Sequence, residues 1–251
     1  MREPLVAANW KMHGSRAGNA RLIEALAARF PSEPAACVVC PPHVYLGEVA
    51  RLLQAAELPV ALGAQDLSPE VQGAFTGEVS GAMLRDVGAA YVIVGHSERR
   101  AQHGETDALV ARKFAAAKAA ALVPLLCVGE DLSQREAGRT FEIVGRQLDA
   151  VLGSGADAFE RAVIAYEPCW AIGTGRNAQP GQAQEVHAFI RGRIAQRDAK
   201  IAASVRILYG GSVKPANAAE LFAMPDIDGG LVGGASLDAG QFLAIMAAAR
   251  R

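Results

Sequence analysis

Eight short apolar runs recur along the chain, at residues 5–8, 37–40, 60–62, 91–94, 125–128, 162–166, 207–209 and 230–232. Most are bounded by glycine or proline. The segments between them are rich in Ala, Leu and Arg with helical periodicity, as at 21–30, 109–121, 139–152, 185–196 and 239–249. An apolar run without polar alternation belongs to a strand buried on both faces, and such strands joined by helices form a parallel sheet. Alternation over eight units favours a closed (β/α)8 barrel over an open sheet. The 251 residues fit one large barrel or two ordinary domains. No interior linker or low-complexity stretch splits them, so a single α/β domain over 1–251 is predicted. Ser133 and Glu136 are spaced as a capping box ahead of the helical segment at 139.

In a parallel barrel the residues that follow each strand gather on the C-terminal rim, where barrel active sites sit. Here they are Asn9 and Lys11 after the first run, Gln65 after the third and His96 after the fourth. Glu130 follows the fifth, Glu167 the sixth, Ser212 the seventh, and Gly233 with Gly234 the eighth. Each alone has an ordinary explanation as a solvated charge, a structural histidine or a turn glycine. Their shared rim makes so many independent explanations uneconomical.

The most informative stretch is 164–178, IAYEPCWAIGTGRNA. Its strand ends on Glu167, and Pro168 has no N–H with which to extend a ladder. Trp170 offers a bulky anchor, and Gly173-Thr174-Gly175 a tip whose amides can approach an anion closely. A base followed by a hinged, anion-binding loop suits an enzyme that closes over a phosphate, and residues 168–178 are predicted to be the lid.

Gly210-Gly211-Ser212 and Gly233-Gly234-Ala235-Ser236 follow the seventh and eighth strands, where barrels commonly hold a phosphate. With one carboxylate, one histidine and one lysine beside that site, the economical chemistry is proton abstraction next to a carbonyl. Glu167 would take the proton, His96 would hydrogen-bond the oxygen that gains charge, and Lys11 would supply a cation beside it. Ser97 and Glu98 are placed to open a short helix whose dipole keeps His96 neutral. Gly173 to Ala178 also match G-x-G-x-x-A, but that dinucleotide fingerprint starts at a strand end, and here residues 167–172 intervene. No Walker A sequence, metal-ligand cluster or activated nucleophile is evident, so neither cofactor nor metal is expected.

The segments AANWKM, VGHSERR, AYEPCWAIGTG, YGGSV and LVGGASL, in this order along nearly the full chain, resemble the triosephosphate isomerase family. That resemblance implies a TIM barrel and cofactor-free interconversion of dihydroxyacetone phosphate and D-glyceraldehyde 3-phosphate through an enediolate, in glycolysis and gluconeogenesis. It makes Glu167 the base, His96 the electrophile, and Asn9 and Lys11 substrate contacts. Gly173, Ser212, Gly233 and Gly234 match phosphate-binding positions, with Ser97, Glu98, Glu130 and Trp170 in support. The family is a standard example of a glutamate base, a neutral histidine and a water-excluding loop, so those roles come with the resemblance rather than independently of it.

A homodimer is also implied. The loop 67–79 is long and carries Phe75 between Gly73 and Gly77, an aromatic with no obvious home in its own barrel. In the family this loop enters a pocket of a second subunit near the Lys11 segment, with Met12, Gln65 and Thr76 at matching contact positions. Departures from the family pattern are Arg176-Asn177 where Lys-Thr is common, Ala101-Gln102-His103 for a more apolar stretch, and Asp238 where a lysine is frequent. They bear on loop kinetics and surface contacts rather than on the reaction.

A formal net charge of −1, with no Lys/Arg run longer than a dipeptide, argues against nucleic acid or an acidic membrane as partner. The apolar run at 5–8 is too short for a signal-peptide core, and Lys118 and Pro124 break the longest Ala/Leu region, so a cytoplasmic protein is expected. Cys37 and Cys40 form a C-x-x-C, but an odd separation in a strand puts them on opposite faces, which predicts buried, reduced thiols. Two other functions fit: another sugar-phosphate isomerase or epimerase, or a catalytically inactive metabolite-binding barrel.

Overall fold

Strands form at all eight predicted runs: β1 (Leu5–Asn9), β2 (Ala36–Cys40), β3 (Ala61–Ala64), β4 (Tyr91–Val94), β5 (Val123–Val128), β6 (Val163–Tyr166), β7 (Arg206–Tyr209) and β8 (Gly229–Val232). The computed structural model describes residues 2–32, 34–153, 155, 157–172 and 178–250. All neighbouring strands pair in parallel, and β1 pairs with both β2 and β8, closing the barrel in sequence order.

Burial on both faces is visible residue by residue. Leu5, Ala7, Val38, Cys40, Ile93, Leu125, Cys127, Val163, Ala165, Leu208 and Leu231 point inward and fill the barrel. Their neighbours Val6, Ala8, Val39, Val92, Val94, Leu126, Val128, Ile164 and Ile207 point outward into the layer under the helices. Continuous apolar runs are the consequence, since neither face meets water. Cys37 and Cys40 fall in the outer and inner layers respectively, both buried and unpaired, as the strand period requires. At the seam, Gly229 adopts φ +130, and a Cβ there would come within 1.9 Å of the Leu5 carbonyl oxygen. Only glycine lets β8 close onto β1.

Helices join the strands: α1 (Arg16–Ala27), α2 (Leu46–Ala55), α3 (Gly81–Asp86), α4 (Ser97–His103), α5 (Asp107–Ala119), α6 (Leu132–Glu136), α7 (Thr140–Leu152), α8 (Pro180–Ala195), α9 (Ala199–Ser204), α10 (Pro215–Phe222) and α11 (Ala239–Ala248). Three begin earlier than periodicity predicts, α1, α5 and α8, because caps rather than apolar stripes set their starts, Thr106 accepting the Leu109 amide ahead of α5. Ser15 accepts the Gly18 amide ahead of α1, and Pro180 opens α8 behind Gln179, whose amide donates to Gln182. The predicted Ser133/Glu136 capping box is not formed. The box is Asp131 with Gln134, at the start of α6, and Ser133 lies inside that helix with its hydroxyl on Asp131 Oδ1. An aspartate one position before the helix out-competes a serine already within it.

Candidate active site

A cavity of about 380 Å³ opens at the C-terminal ends of the strands, lined among others by Asn9, Lys11, His96, Glu167, Ser212, Gly233 and Gly234. Asn9, Lys11, His96, Glu167, Ser212, Gly233 and Gly234 thus converge on one space, whereas Gln65 and Glu130, also expected at the rim, do not line it. Gly173 and the Gly-Thr-Gly tip, within residues 173–177 of the predicted lid, lie outside the described residues.

Glu167 leaves β6 with its backbone N–H bonded to the Val128 carbonyl at 2.7 Å, and its side chain is 2% exposed. Oε2 accepts the Ser97 amide at 2.8 Å. Oε1 stands 3.0 Å from His96 Nε2, yet among the described residues it has no well-aligned hydrogen-bond donor. A buried carboxylate oxygen with open lone pairs is what proton abstraction needs. Burial raises the pKa of this carboxyl, but His96 and the Ser97 amide outweigh burial and hold it below the usual value. The base is therefore ionised at neutral pH.

Room for that carboxylate is made by glycine. A Cβ on Gly129 would lie 1.8 Å from the Glu167 carbonyl oxygen, and one on Gly210 would lie 2.8 Å from Glu167 Cγ. Neither role was read from the sequence, where Gly210 stood only as part of a phosphate turn. The contacts exist because β5, β6 and β7 are adjacent, and one-dimensional sequence carries no signal for that adjacency.

His96 ends the β4 turn and is the N-cap of α4, its Nδ1 accepting the Glu98 amide at 3.2 Å. Burial pushes the ring's pKa down, the Glu167 carboxylate pulls it up more, and the net direction is up. The hydrogen bond nevertheless fixes the tautomer. An Nδ1 that accepts an amide proton carries none of its own, and Glu98 Oε2, 3.6 Å away, is too distant to be its acceptor. The ring's own hydrogen is then on Nε2, 3.0 Å from Glu167 Oε1.

Lys11 has φ +50, an unusual conformation for a residue with a side chain. Its N–H donates to Asn9 Oδ1 at 3.0 Å, and its carbonyl accepts Gln65 Nε2 at 2.8 Å. Gln65 also reaches the Cys40 carbonyl at 2.9 Å, so this predicted interface residue fastens Lys11 to β2 within its own barrel. Lys11 Nζ pairs with Glu98 Oε1 at 2.6 Å. Its Cε passes over Gly233, 3.3 Å from where a Cβ would be. Ser236 turns the last loop by donating its hydroxyl and amide to the Gly233 carbonyl.

Glu130, fully buried, accepts from Tyr166 Oη at 3.1 Å and Trp170 Nε1 at 3.0 Å through one oxygen, Oε1. Arg135 lies over the Trp170 ring, 4.6 Å from its centre. Glu130 and Trp170 therefore anchor the segment that follows β6 and do not line the cavity. Ile172, Val213, Lys214, Leu231, His13 and Gln241 line the cavity and were not singled out in the sequence. Met12 is 94% exposed and Phe75 46% exposed, with Thr76 exposed beside it.

Among the described residues no helix is long and apolar enough to cross a membrane. The family profile for triosephosphate isomerase matches residues 4–249. The chain is 60% identical over 250 residues to a triosephosphate isomerase of Xanthomonas axonopodis pv. citri (strain 306), covering 99% of each protein. It is 59% identical over 252 residues to that of Thiobacillus denitrificans, covering both completely. The match to the Dechloromonas aromatica protein of the same name is 58% over 250 residues, covering 99% of this chain and all of that one. With a barrel closed in sequence order and a carboxylate, an imidazole and an ammonium at its C-terminal rim, this chain belongs to the triosephosphate isomerase family.

Proposed function

We propose that this chain interconverts dihydroxyacetone phosphate and D-glyceraldehyde 3-phosphate, with Glu167 as base, His96 as electrophile and Lys11 as the cation beside the reacting oxygen. The observation that carries this reading is the unpartnered Glu167 Oε1 3.0 Å from His96 Nε2, on two residues that line one cavity. A substrate carbonyl oxygen placed near Nε2 puts the neighbouring C–H next to Oε1. Glu167 takes that proton, and the electron pair left on carbon forms the C=C of an enediolate. His96 Nε2–H donates to the oxygen that becomes negative, and Lys11 adds its field. Return of the proton to the other carbon completes the isomerisation, with no net change in oxidation state and no external reactant. The phosphate would rest on Ser212, Gly233, Gly234 and Gly173.

Further parts of the reading follow from the same features. The barrel closes with strands from both ends of the chain, which supports one domain. Exposed Met12, Phe75 and Thr76 support a homodimer. Four unpaired cysteines fit a reducing compartment such as the cytoplasm. A coupled assay with D-glyceraldehyde 3-phosphate and purified protein is the test. Turnover without added cofactor supports the reading, and no turnover with this substrate rejects it.

A further inference from the structure

The phosphate end of the cavity carries a cation that the isomerisation chemistry leaves without a role. Lys214 lies two residues beyond Ser212, lines the same cavity, is exposed, and makes no ion pair among the described residues. Lys11, by contrast, is already committed to Glu98 at 2.6 Å. The backbone that presents Lys214 is held from one side chain. Asn217 donates Nδ2 to the Ser212 carbonyl at 2.9 Å and accepts the Lys214 amide on Oδ1 at 2.8 Å, so Ser212 and Lys214 keep a fixed relation. Gln241, another lining residue, donates its amide to Asp238, the cap of α11. With a net charge of −1 the molecule as a whole offers a dianion no attraction. Attraction has to be local.

We propose that Lys214 determines specificity for the phosphate dianion: an outer cation at the cavity mouth that draws the phosphate toward Ser212 and the glycine amides without touching the reacting carbons. The proposal rests on the functional reading above and deepens it. A charge at the rim of a concave, low-dielectric site concentrates the field there and acts on capture of a charged substrate. It leaves the barrier of the bound state alone, so its signature is in KM and its salt dependence, not in kcat.

Lys214→Met and Lys214→Arg test this by steady-state kinetics at several ionic strengths. In low salt the Met variant is expected to raise KM for D-glyceraldehyde 3-phosphate, and Ki for inorganic phosphate, by about three- to tenfold, with kcat within about twofold. The gap should close to less than about twofold near ~0.5 M salt, where screening acts within a few ångströms. Arginine should restore most of the effect, and turnover of unphosphorylated glyceraldehyde should not differ between variants. Equal KM values in low salt, a salt-independent gap, or an equal loss with the unphosphorylated substrate would overturn the proposal. If wild-type protein proves inactive toward triose phosphates, the functional reading falls separately. Calorimetric binding of inorganic phosphate to wild type and Lys214→Met then decides the role of Lys214 by itself, with equal affinities rejecting it.

Discussion

Gly210 is the wall behind Glu167: a Cβ at that position would lie 2.8 Å from Glu167 Cγ, closer than carbon atoms pack, and 3.2 Å from the Tyr166 carbonyl oxygen. The carboxylate cannot yield freely, since Oε2 is bonded to the Ser97 amide. Gly210→Ala should therefore displace the base while the barrel stays folded. A shift of about 1 Å can cost roughly 10²-fold in rate, so kcat is expected to fall between about tenfold and a hundredfold. The stability loss from overpacking should be about 1–3 kcal/mol. Kinetics alongside a urea melt check both, and wild-type kcat would show that the wall is not limiting.

Two exposed apolar side chains bear on assembly. Met12 and Phe75, 94% and 46% exposed, present apolar surface that a lone barrel leaves in water. Sedimentation equilibrium at micromolar concentration should return twice the 26.2 kDa chain mass. Phe75→Glu should shift the distribution toward monomer. A single-chain mass for the wild type removes the dimer from the account.

His187 makes stability depend on pH. Its ring is fully buried against Tyr166, with Nε2 unpartnered among the described residues, and burial lowers its pKa from 6.5 to about 4. The unfolded chain binds this proton below pH 6.5 while the folded chain refuses it until about pH 4. Stability is thus intact above 6.5 and lost progressively as pH falls through that window. By pH 5 the loss from this residue is about 2 kcal/mol. His187→Gln should flatten the difference between urea melts at pH 7.5 and pH 5, taken at one protein concentration. An unchanged difference would mean that other groups carry the acid sensitivity.

Fold and rim were legible because both depend on local patterns. A strand buried on two faces has to be apolar throughout, as Leu5 to Ala8 and Val163 to Tyr166 are, and the position after each strand end is set by counting. Helix starts were less legible, since α1 and α6 are fixed by single capping side chains, Ser15 and Asp131, rather than by periodicity. Contacts between distant turns were not legible at all. Nothing in the sequence says that Gly129 and Gly210 flank Glu167, that Gln65 holds the Lys11 carbonyl, or that Tyr166 and Trp170 share one oxygen of Glu130. Each depends on which strands become neighbours when the barrel closes.

Steady-state kinetics of Glu167→Asp test the central claim most directly. The substitution keeps the carboxylate and withdraws it by one methylene from Oε1's position beside His96 Nε2. The phosphate-binding turns at Ser212, Gly233 and Gly234 are untouched. The account predicts a fall in kcat of roughly 10²-fold with KM changed little, the pattern of an interaction made in the transition state. A kcat close to wild type would contradict it and remove Glu167 from the role of base.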